Sequence, residues 1–299
     1  MTRMTDRSLE QPRRTPAVWS RGWPWQDKAG RFVPFKAIVL ALLPLPALWL
    51  LGRSAAQDLG PRPLTELILQ TGTWGIRILL VALSITPLRQ VLRWNRLAML
   101  RRMTGVAAAL YLLAHFILYT ANQAFDLDKI VTEIVKANYL IIGLSGLVML
   151  LALLVTSTDG MLRRLGGRRW QLLHYLVFPA AMLAVWHYFL QVKADVFQPL
   201  LLIGFLAWLF GYRLWRRARP QGQALPLWSM AVLGVAATLL IVAGEAGYFG
   251  WKIGPAVVPR VLEANLSVEM GLRPGIWVLA VAAGVTLAAL AATIRARRN

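Results

Sequence analysis

The sequence predicts an all-α protein, a polytopic membrane helical bundle, and three observations support this. Hydrophobic residues make up 58% of the 299 residues, and the mean hydropathy of +0.55 lies well above that of soluble globular proteins. The apolar residues fall into eight runs, most of them close to the 17–25 residues that a helix needs to cross a bilayer. Basic residues are concentrated between the runs rather than within them.

The eight predicted spans divide into a six-span body and a two-span extension. The linker between them, 216–226, is rich in arginine, proline and glycine. We therefore predict a basic N-terminal segment at 1–36, a six-span domain at 37–217, and a linker with two C-terminal spans at 218–299. Residues 126–137 are typical of a short amphipathic helix on the outer membrane surface. No internal repeat is apparent. The predicted spans are approximately 37–52, 67–88, 104–122, 138–157, 171–190, 198–215, 227–244 and 275–293.

The distribution of charge predicts that both termini are cytoplasmic. Eight spans place the two termini on the same side of the membrane. Of the 33 Lys and Arg residues, 24 fall on the side of the termini, eight fall on the other side, and Arg77 lies within a span. Acidic residues show the reverse bias, four against nine. The positive-inside rule explains this pattern, so the net charge of +20 does not indicate nucleic acid as a partner.

Three histidines, His115, His174 and His187, lie within the apolar runs, and the chain has no cysteine. Imidazoles that project into a helical bundle can be axial ligands of haem iron. Without cysteine, zinc–thiolate sites, iron–sulfur clusters and covalent c-type haem attachment are excluded. The histidines therefore predict a membrane electron carrier with b-type haem.

The depths of the histidines favour His115 and His187 as the ligand pair. At 1.5 Å per residue, His115 lies about 17 Å from the inner face, His187 about 24 Å and His174 about 5 Å. Thirteen residues rotate an ideal helix by about 220°, so His174 and His187 share a face only if a kink at Pro179 changes the rotation. For each histidine, the alternative role is a hydrogen bond to a neighbouring helix.

His174 would belong to a second, inner site. Arg101 or Arg102 would lie at its depth and could hold a haem propionate, a flavin phosphate or a quinone oxygen. Arg77 lies near the middle of the second span, where a charge marks a functional site by default. It would either contact a haem propionate, or snorkel or pair with a helix carbonyl.

Four runs of the six-span body carry recognisable motifs. They include ITPL, an RR pair before the third span, TST, and WQLLH with a second histidine 13 residues later. The runs are TGTWGIRILLVALSITPLRQ (71–90), LRRMTGVAAALYLLAHFILY (100–119), NYLIIGLSGLVMLLALLVTST (138–158) and LGGRRWQLLHYLVFPAAMLAVWHYFLQVK (165–193). Over about residues 35–217 the chain resembles the MsrQ (YedZ) family of haem-binding inner-membrane subunits, within the ferric-reductase-like transmembrane group.

The resemblance implies a transmembrane electron-transfer subunit with no catalytic residues of its own. Such subunits take electrons from the quinone pool or from a cytosolic flavin reductase. They pass them to MsrP, a periplasmic molybdenum enzyme that reduces methionine sulfoxide in oxidised proteins. Haem b and FMN are the implied cofactors, and the family's histidines carry over onto His115, His174 and His187. Where some members have a further histidine, this chain has Arg168 and Arg169.

Two other functions stay open from the sequence. One is a ferric or cupric reductase of the b-cytochrome type, which commonly carries a cytosolic flavin domain that does not fit in this chain. The other, from a different class, is a multi-span transporter with structural histidines. Transporters typically show broken helices and paired acidic residues at mid-membrane, whereas here Glu245 approaches a span at its end. The two-span extension departs from the short form of the MsrQ family.

Overall fold

A computed structural model describes the chain in five stretches: residues 23–27, 29–192, 195–220, 225–267 and 271–298. Within these stretches the protein is predominantly helical and has no β-strand, which confirms the predicted all-α class. The described residues up to Leu42 form one compact unit, and those from Leu43 onward form another. Parts of the predicted N-terminal segment and linker, 1–22 and 221–224, lie outside the described residues.

Twelve α-helices occur in the described residues. They are α1 (Pro34–Leu42), α2 (Leu45–Ala55), α3 (Pro63–Val91), α4 (Arg101–Asn122), α5 (Leu127–Lys136), α6 (Asn138–Thr156), α7 (Asp159–His174), α8 (Val177–Gln191), α9 (Phe197–Arg217), α10 (Leu227–Ile253), α11 (Val258–Leu266) and α12 (Pro274–Arg298). Short 3-10 turns at Asn95–Leu100 and Pro255–Val257 precede α4 and α11.

Eight helical segments of the described residues are long and apolar enough to cross a membrane, which confirms the eight predicted spans. The segments run three or more residues beyond half of the predicted ends, because helical hydrogen bonding continues where the sequence becomes polar. They are Pro34–Ala55, Pro63–Val91, Asn95–Asn122, Asn138–Thr156, Asp159–Gln191, Phe197–Arg217, Leu227–Ile253 and Pro274–Ala296.

The fifth segment differs from its prediction, because residues 159–170 are helical rather than a loop. Thr158 caps α7 by accepting a hydrogen bond from the Met161 N–H. The helix bends at Gly166, whose φ of 72° and ψ of 153° suit glycine alone. A second break at 175–176 separates α7 from α8. This break lies before Pro179, which sits in the first turn of α8, where a proline is tolerated.

Helix α5 is the amphipathic helix predicted at 126–137. Asp126 caps it by accepting a hydrogen bond from the Lys129 N–H. Leu127, Val131 and Val135 recur at four-residue intervals and are exposed along one side, whereas Ile130 is buried on the other. A short helix with an exposed apolar side and charged neighbours is typical of a membrane interface.

The main hydrophobic core lies among α3, α4, α6, α8 and α9. Small residues let these helices approach closely, and Ala108, Ala180 and Ala181 are fully buried. Without a hydrophobic driving force between helices in lipid, such close van der Waals packing is the main source of association.

The extension packs on the body through α9. Gly204 of α9 lies against Val278 of α12 and Ile241 of α10. Glu245 of α10 is 2% exposed and pairs with Arg273, just before α12. Asn265 of α11 donates a second hydrogen bond to the Glu245 carboxylate at 2.8 Å. This buried carboxylate therefore joins α10, α11 and the start of α12.

Replacing Arg273 with glutamine is expected to destabilise the extension, because it leaves the Glu245 carboxylate buried without its counter-charge. Breaking one partner of a buried pair typically costs about 3–5 kcal/mol. Thermal unfolding of the purified protein in detergent should show a lower melting temperature for Arg273→Gln. The double variant Glu245→Gln/Arg273→Gln should recover part of the loss, since two neutral amides need no counter-charge.

The control for this experiment is Arg260→Gln, an exposed arginine on α11. An equal fall in melting temperature for Arg260→Gln and Arg273→Gln would contradict a specific role for the Glu245–Arg273 pair.

Candidate functional site

His115 of α4 and His187 of α8 face each other inside the bundle. Their ring centroids are 6.3 Å apart, and the ring planes are inclined at 78°. Both rings line one cavity, together with residues of α3, α5 and α6. The structure thus brings together the two histidines that were paired by depth. Their role as ligands stays a prediction.

Each of the two imidazoles is fixed by a hydrogen bond to a backbone carbonyl of a neighbouring helix. His115 Nδ1–H donates to the Ile68 carbonyl of α3 at 2.7 Å, and His187 Nδ1–H donates to the Tyr139 carbonyl of α6 at 2.7 Å. A carbonyl oxygen can only accept, so in each neutral ring the proton belongs on Nδ1. Nε2 is then the nitrogen with a free lone pair, the atom that a metal would use.

Two glycines provide the space for these rings. A Cβ atom placed on Gly72 would lie 2.8 Å from His115 Nδ1, and one placed on Gly143 would lie 2.7 Å from His187 Nδ1. Any other residue at these positions would displace the imidazole or its own helix. Sequence reasoning missed both glycines. The signal that was available is the G-x-x-G spacing at 72–75 and 143–146.

The cavity around the two histidines is apolar and uncharged. Its described lining is mostly aliphatic and aromatic, and includes no Asp, Glu, Lys or Arg. Polar groups are supplied by Thr73, Tyr119, Tyr139, Tyr188 and Gln191. Such a lining suits a large, flat, apolar ligand better than a hydrated ion.

The separation of 6.3 Å between the two ring centroids leaves room for one metal ion between the imidazoles, because a metal–imidazole nitrogen bond is about 2.0–2.1 Å long. A bare metal ion is a poorer fit than a haem iron, because the described residues contain no group of three His, Cys, Asp or Glu side chains able to hold one.

His174 is placed away from this pair, at the end of α7. Its ring stacks on Trp170 with centroids 3.7 Å apart, and its Nδ1 lies 3.0 Å from the Trp170 carbonyl. Its Nε2 lies 3.5 Å from Ser157 Oγ. Trp170 is held in turn by a hydrogen bond from its Nε1–H to the Thr156 carbonyl at 2.8 Å. His174 is therefore held by stacking and polar contacts that are separate from those of the His115–His187 pair.

Arg101 and Arg102, the predicted partners of His174, lie close enough to interact with it electrostatically. Both are exposed at the start of α4. Arg102 also pairs with Asp159, the first residue of α7, at 2.7 Å. The three predicted inner-site residues are thus near one another, and their role in binding a cofactor stays a prediction.

Arg77 lies outside the histidine cavity. Its Nη2 donates to Gln198 Oε1 of α9 at 2.8 Å, and its guanidinium lies 5.0 Å from the Trp74 ring centroid. It lines a second cavity between α3, α9 and the extension. Neighbouring Ile76 lines the histidine cavity instead, because successive residues of a helix point about 100° apart. The predicted contact of Arg77 with a propionate stays a prediction.

The fold and the histidine pair define a class of protein: multi-span membrane proteins that hold two imidazoles close together within a helical bundle. A family model described as the ferric reductase like transmembrane component matches residues 71–185, the stretch that contains His115 and His174 and ends just before His187. No solved structure gives a significant match.

Curated relatives identify the family. The protein-methionine-sulfoxide reductase heme-binding subunit MsrQ of Rhodospirillum rubrum is 42% identical over 202 residues, covering 67% of this chain and 95% of that protein. The subunit of the same name from Caulobacter vibrioides is 36% identical over 182 residues, covering 60% of this chain and 87% of its own. The Xanthomonas campestris subunit is 40% identical over 173 residues, 56% of this chain and 78% of its own. The chain belongs to the MsrQ family and is a multi-pass membrane protein.

Proposed function

We propose that this chain is a transmembrane electron-transfer subunit that binds haem b between His115 and His187. The observation that carries the proposal is the matched pair of imidazoles, each with Nδ1–H bonded to a carbonyl at 2.7 Å. Each Nε2 is thereby left with a free lone pair, and the separation of the rings leaves room for one metal ion between them. The relatives are named as heme-binding subunits of a methionine sulfoxide reductase, which supports the same cofactor here.

The residues of the chain have defined tasks in this function. His115 and His187 hold the iron and, through their carbonyl partners, keep one tautomer and one ring orientation. The mostly apolar lining lowers the dielectric constant around the site. Haem b, when bound, supplies one-electron redox chemistry.

We further propose the pathway of which the chain is a part. Electrons would enter from the quinone pool or a cytosolic flavin reductase and leave to a periplasmic MsrP-like molybdenum enzyme, where methionine sulfoxide is reduced. This direction follows from the family resemblance alone, and the names of the relatives support only a role in a methionine sulfoxide reductase system. FMN is proposed as a second cofactor on the resemblance alone, with the exposed guanidinium groups of Arg101 and Arg102 available to its phosphate.

The proposed orientation places both termini in the cytoplasm of a bacterial cell and the chain in its inner membrane. The excess of Lys and Arg on the side of the termini supports this orientation. In this orientation α5 and α11 lie on the periplasmic side, and the 3-10 turn at Asn95–Leu100 lies on the cytoplasmic side.

Haem binding is tested by the visible spectrum of the purified protein and three histidine variants. The wild type should show a six-coordinate b-type spectrum when reduced. His115→Ala and His187→Ala should each lower the haem stoichiometry at least about tenfold, since loss even of a group that orients a metal ligand costs about 10–100-fold. His174→Ala is the matched control and should keep the spectrum at least in part. A wild type without haem after expression with ample haem supply would overturn the proposed function.

The proposed orientation is tested by introducing single cysteines. Because the sequence has no cysteine, any labelling comes from the introduced residue. Asp128→Cys on α5 and Arg96→Cys in the 3-10 turn are both at exposed positions. In intact spheroplasts, a membrane-impermeant maleimide should label Asp128→Cys and leave Arg96→Cys unlabelled until the membrane is broken. The opposite pattern would reverse the orientation and with it the direction of electron flow.

A further inference from the structure

We propose that Gly72 and Gly143 are equivalent positioning residues, which hold the two imidazoles in one tautomer and orientation and so set the redox potential of the site. The proposal rests on the haem function proposed above. It adds a role for two residues, one on α3 and one on α6, that do not themselves bind a cofactor.

The two glycines have the same relation to the carbonyls that hold the histidines. The carbonyl of Ile68 lies four residues before Gly72, and that of Tyr139 lies four residues before Gly143. In a helix this carbonyl already accepts the N–H of the glycine. Its second lone pair is free for the imidazole, provided that no side chain at the glycine position stands in the way.

The absence of a Cβ atom is therefore a condition for each hydrogen bond. Added Cβ atoms would lie 2.8 Å from His115 Nδ1 and 2.7 Å from His187 Nδ1. The ring carbon Cε1 would also be too close in both cases, at 3.1 and 2.9 Å. To accommodate an alanine the ring must move away from the carbonyl, and the hydrogen bond of 2.7 Å must lengthen or break.

The second glycine of each G-x-x-G pair extends the equivalence. A Cβ atom on Gly75 would lie 3.3 Å from the backbone nitrogen of Leu112, three residues before His115. One on Gly146 would lie 3.7 Å from the backbone nitrogen of Ala184, three residues before His187. The helix that carries each histidine thus crosses its glycine helix at the same register.

Buried alanines complete the correspondence. Ala108 and Ala109 precede His115 by seven and six residues, and Ala180 and Ala181 precede His187 by the same distances. All four are buried, three of them fully. The pair α3 and α4 and the pair α6 and α8 thus share one local arrangement of glycines and alanines around a histidine.

The shared arrangement gives the site two similar halves. Each half contributes one imidazole with its Nδ1–H bonded to a carbonyl, and the two rings meet between the halves. A hydrogen bond from Nδ1–H makes the imidazole a stronger electron donor through Nε2, which stabilises the more positive, ferric state. Because both halves have this bond, both contribute in the same direction.

The experiment compares Gly72→Ala and Gly143→Ala with wild type in the full chain. With haem bound, both variants should have a more positive midpoint potential and altered electron paramagnetic resonance of the ferric form, because one imidazole has lost its carbonyl partner. Haem affinity should fall by about 10–100-fold, as is usual when the group that orients a metal ligand is lost.

A second measurement does not need haem. In haem-free protein labelled with ¹⁵N-histidine, the side-chain nitrogen resonances report which nitrogen carries the proton. The wild type should show the Nδ1–H form for His115 and His187. Gly72→Ala should change the signals of His115 and leave those of His187, and Gly143→Ala should do the reverse.

Gly75→Ala is the matched control on the same helix as Gly72. Its added Cβ atom would lie 2.6 Å from Leu112 Cγ, so it disturbs the same helix pair without touching a histidine. It should lower the melting temperature but keep the wild-type tautomers and midpoint potential. Gly105→Ala is the control for replacing a helical glycine with alanine, because its added Cβ atom would meet nothing within 4 Å.

Two results would overturn the proposal. One is a shift in Gly75→Ala as large as that in Gly72→Ala, which would assign the effect to general displacement of helices. The other is wild-type histidine signals and potential in both Gly72→Ala and Gly143→Ala. A wild type that shows the expected tautomers but binds no haem would overturn the proposed function alone and leave the positioning role of the glycines intact.

Discussion

The hydrogen bond from an imidazole Nδ1–H to a helix carbonyl is the constraint on which the centre of this bundle depends. Within a bilayer a polar ring has no water to satisfy it, so its N–H must find a partner in the protein. Carbonyls of regular helices are the available acceptors, because each keeps one lone pair free. To reach them, the two histidine helices must cross their neighbours closely. The close crossing is what demands glycine and alanine at the contact.

The helical architecture was predictable from the sequence because backbone groups must be satisfied within each span. That requirement makes every crossing segment a continuous apolar helix, which a simple hydropathy pattern identifies. The arginine-rich stretch before His174 was missed as helix for the same reason. Its polar composition carries no apolar signal, although a Thr158 cap and a glycine bend give it regular structure. Helix α11 was missed because it lies between the last two predicted spans, in a stretch that is not apolar enough to be read as a span.

The depth of the candidate site in the membrane was predictable from the sequence. The side of each helix on which its residues lie was not. Counting residues from the membrane surface was enough to pair His115 with His187. The side of the helix that Arg77 faces could not be counted in this way, because it depends on how α3 packs against α9. The carbonyl partners and the glycines were also out of reach. They are defined by contacts between segments about 45 residues apart, and the two halves share positions of small residues rather than extended identity.

On the proposed function, helix α5 is the layer of protein that an electron would cross to reach a partner on that side of the bundle. Ile134 of α5 lines the histidine cavity, and Glu133 accepts hydrogen bonds from Tyr119 at 3.1 Å and Gln123 at 2.7 Å, which tie α5 to the end of α4. A helix with its side chains is about 10–12 Å across. On the proposed function, a redox partner resting on α5 would be separated from the haem by the thickness of that one helix. Electrons tunnel over such distances, so the protein between the haem and a partner on this side of the bundle would be thin enough for electron transfer.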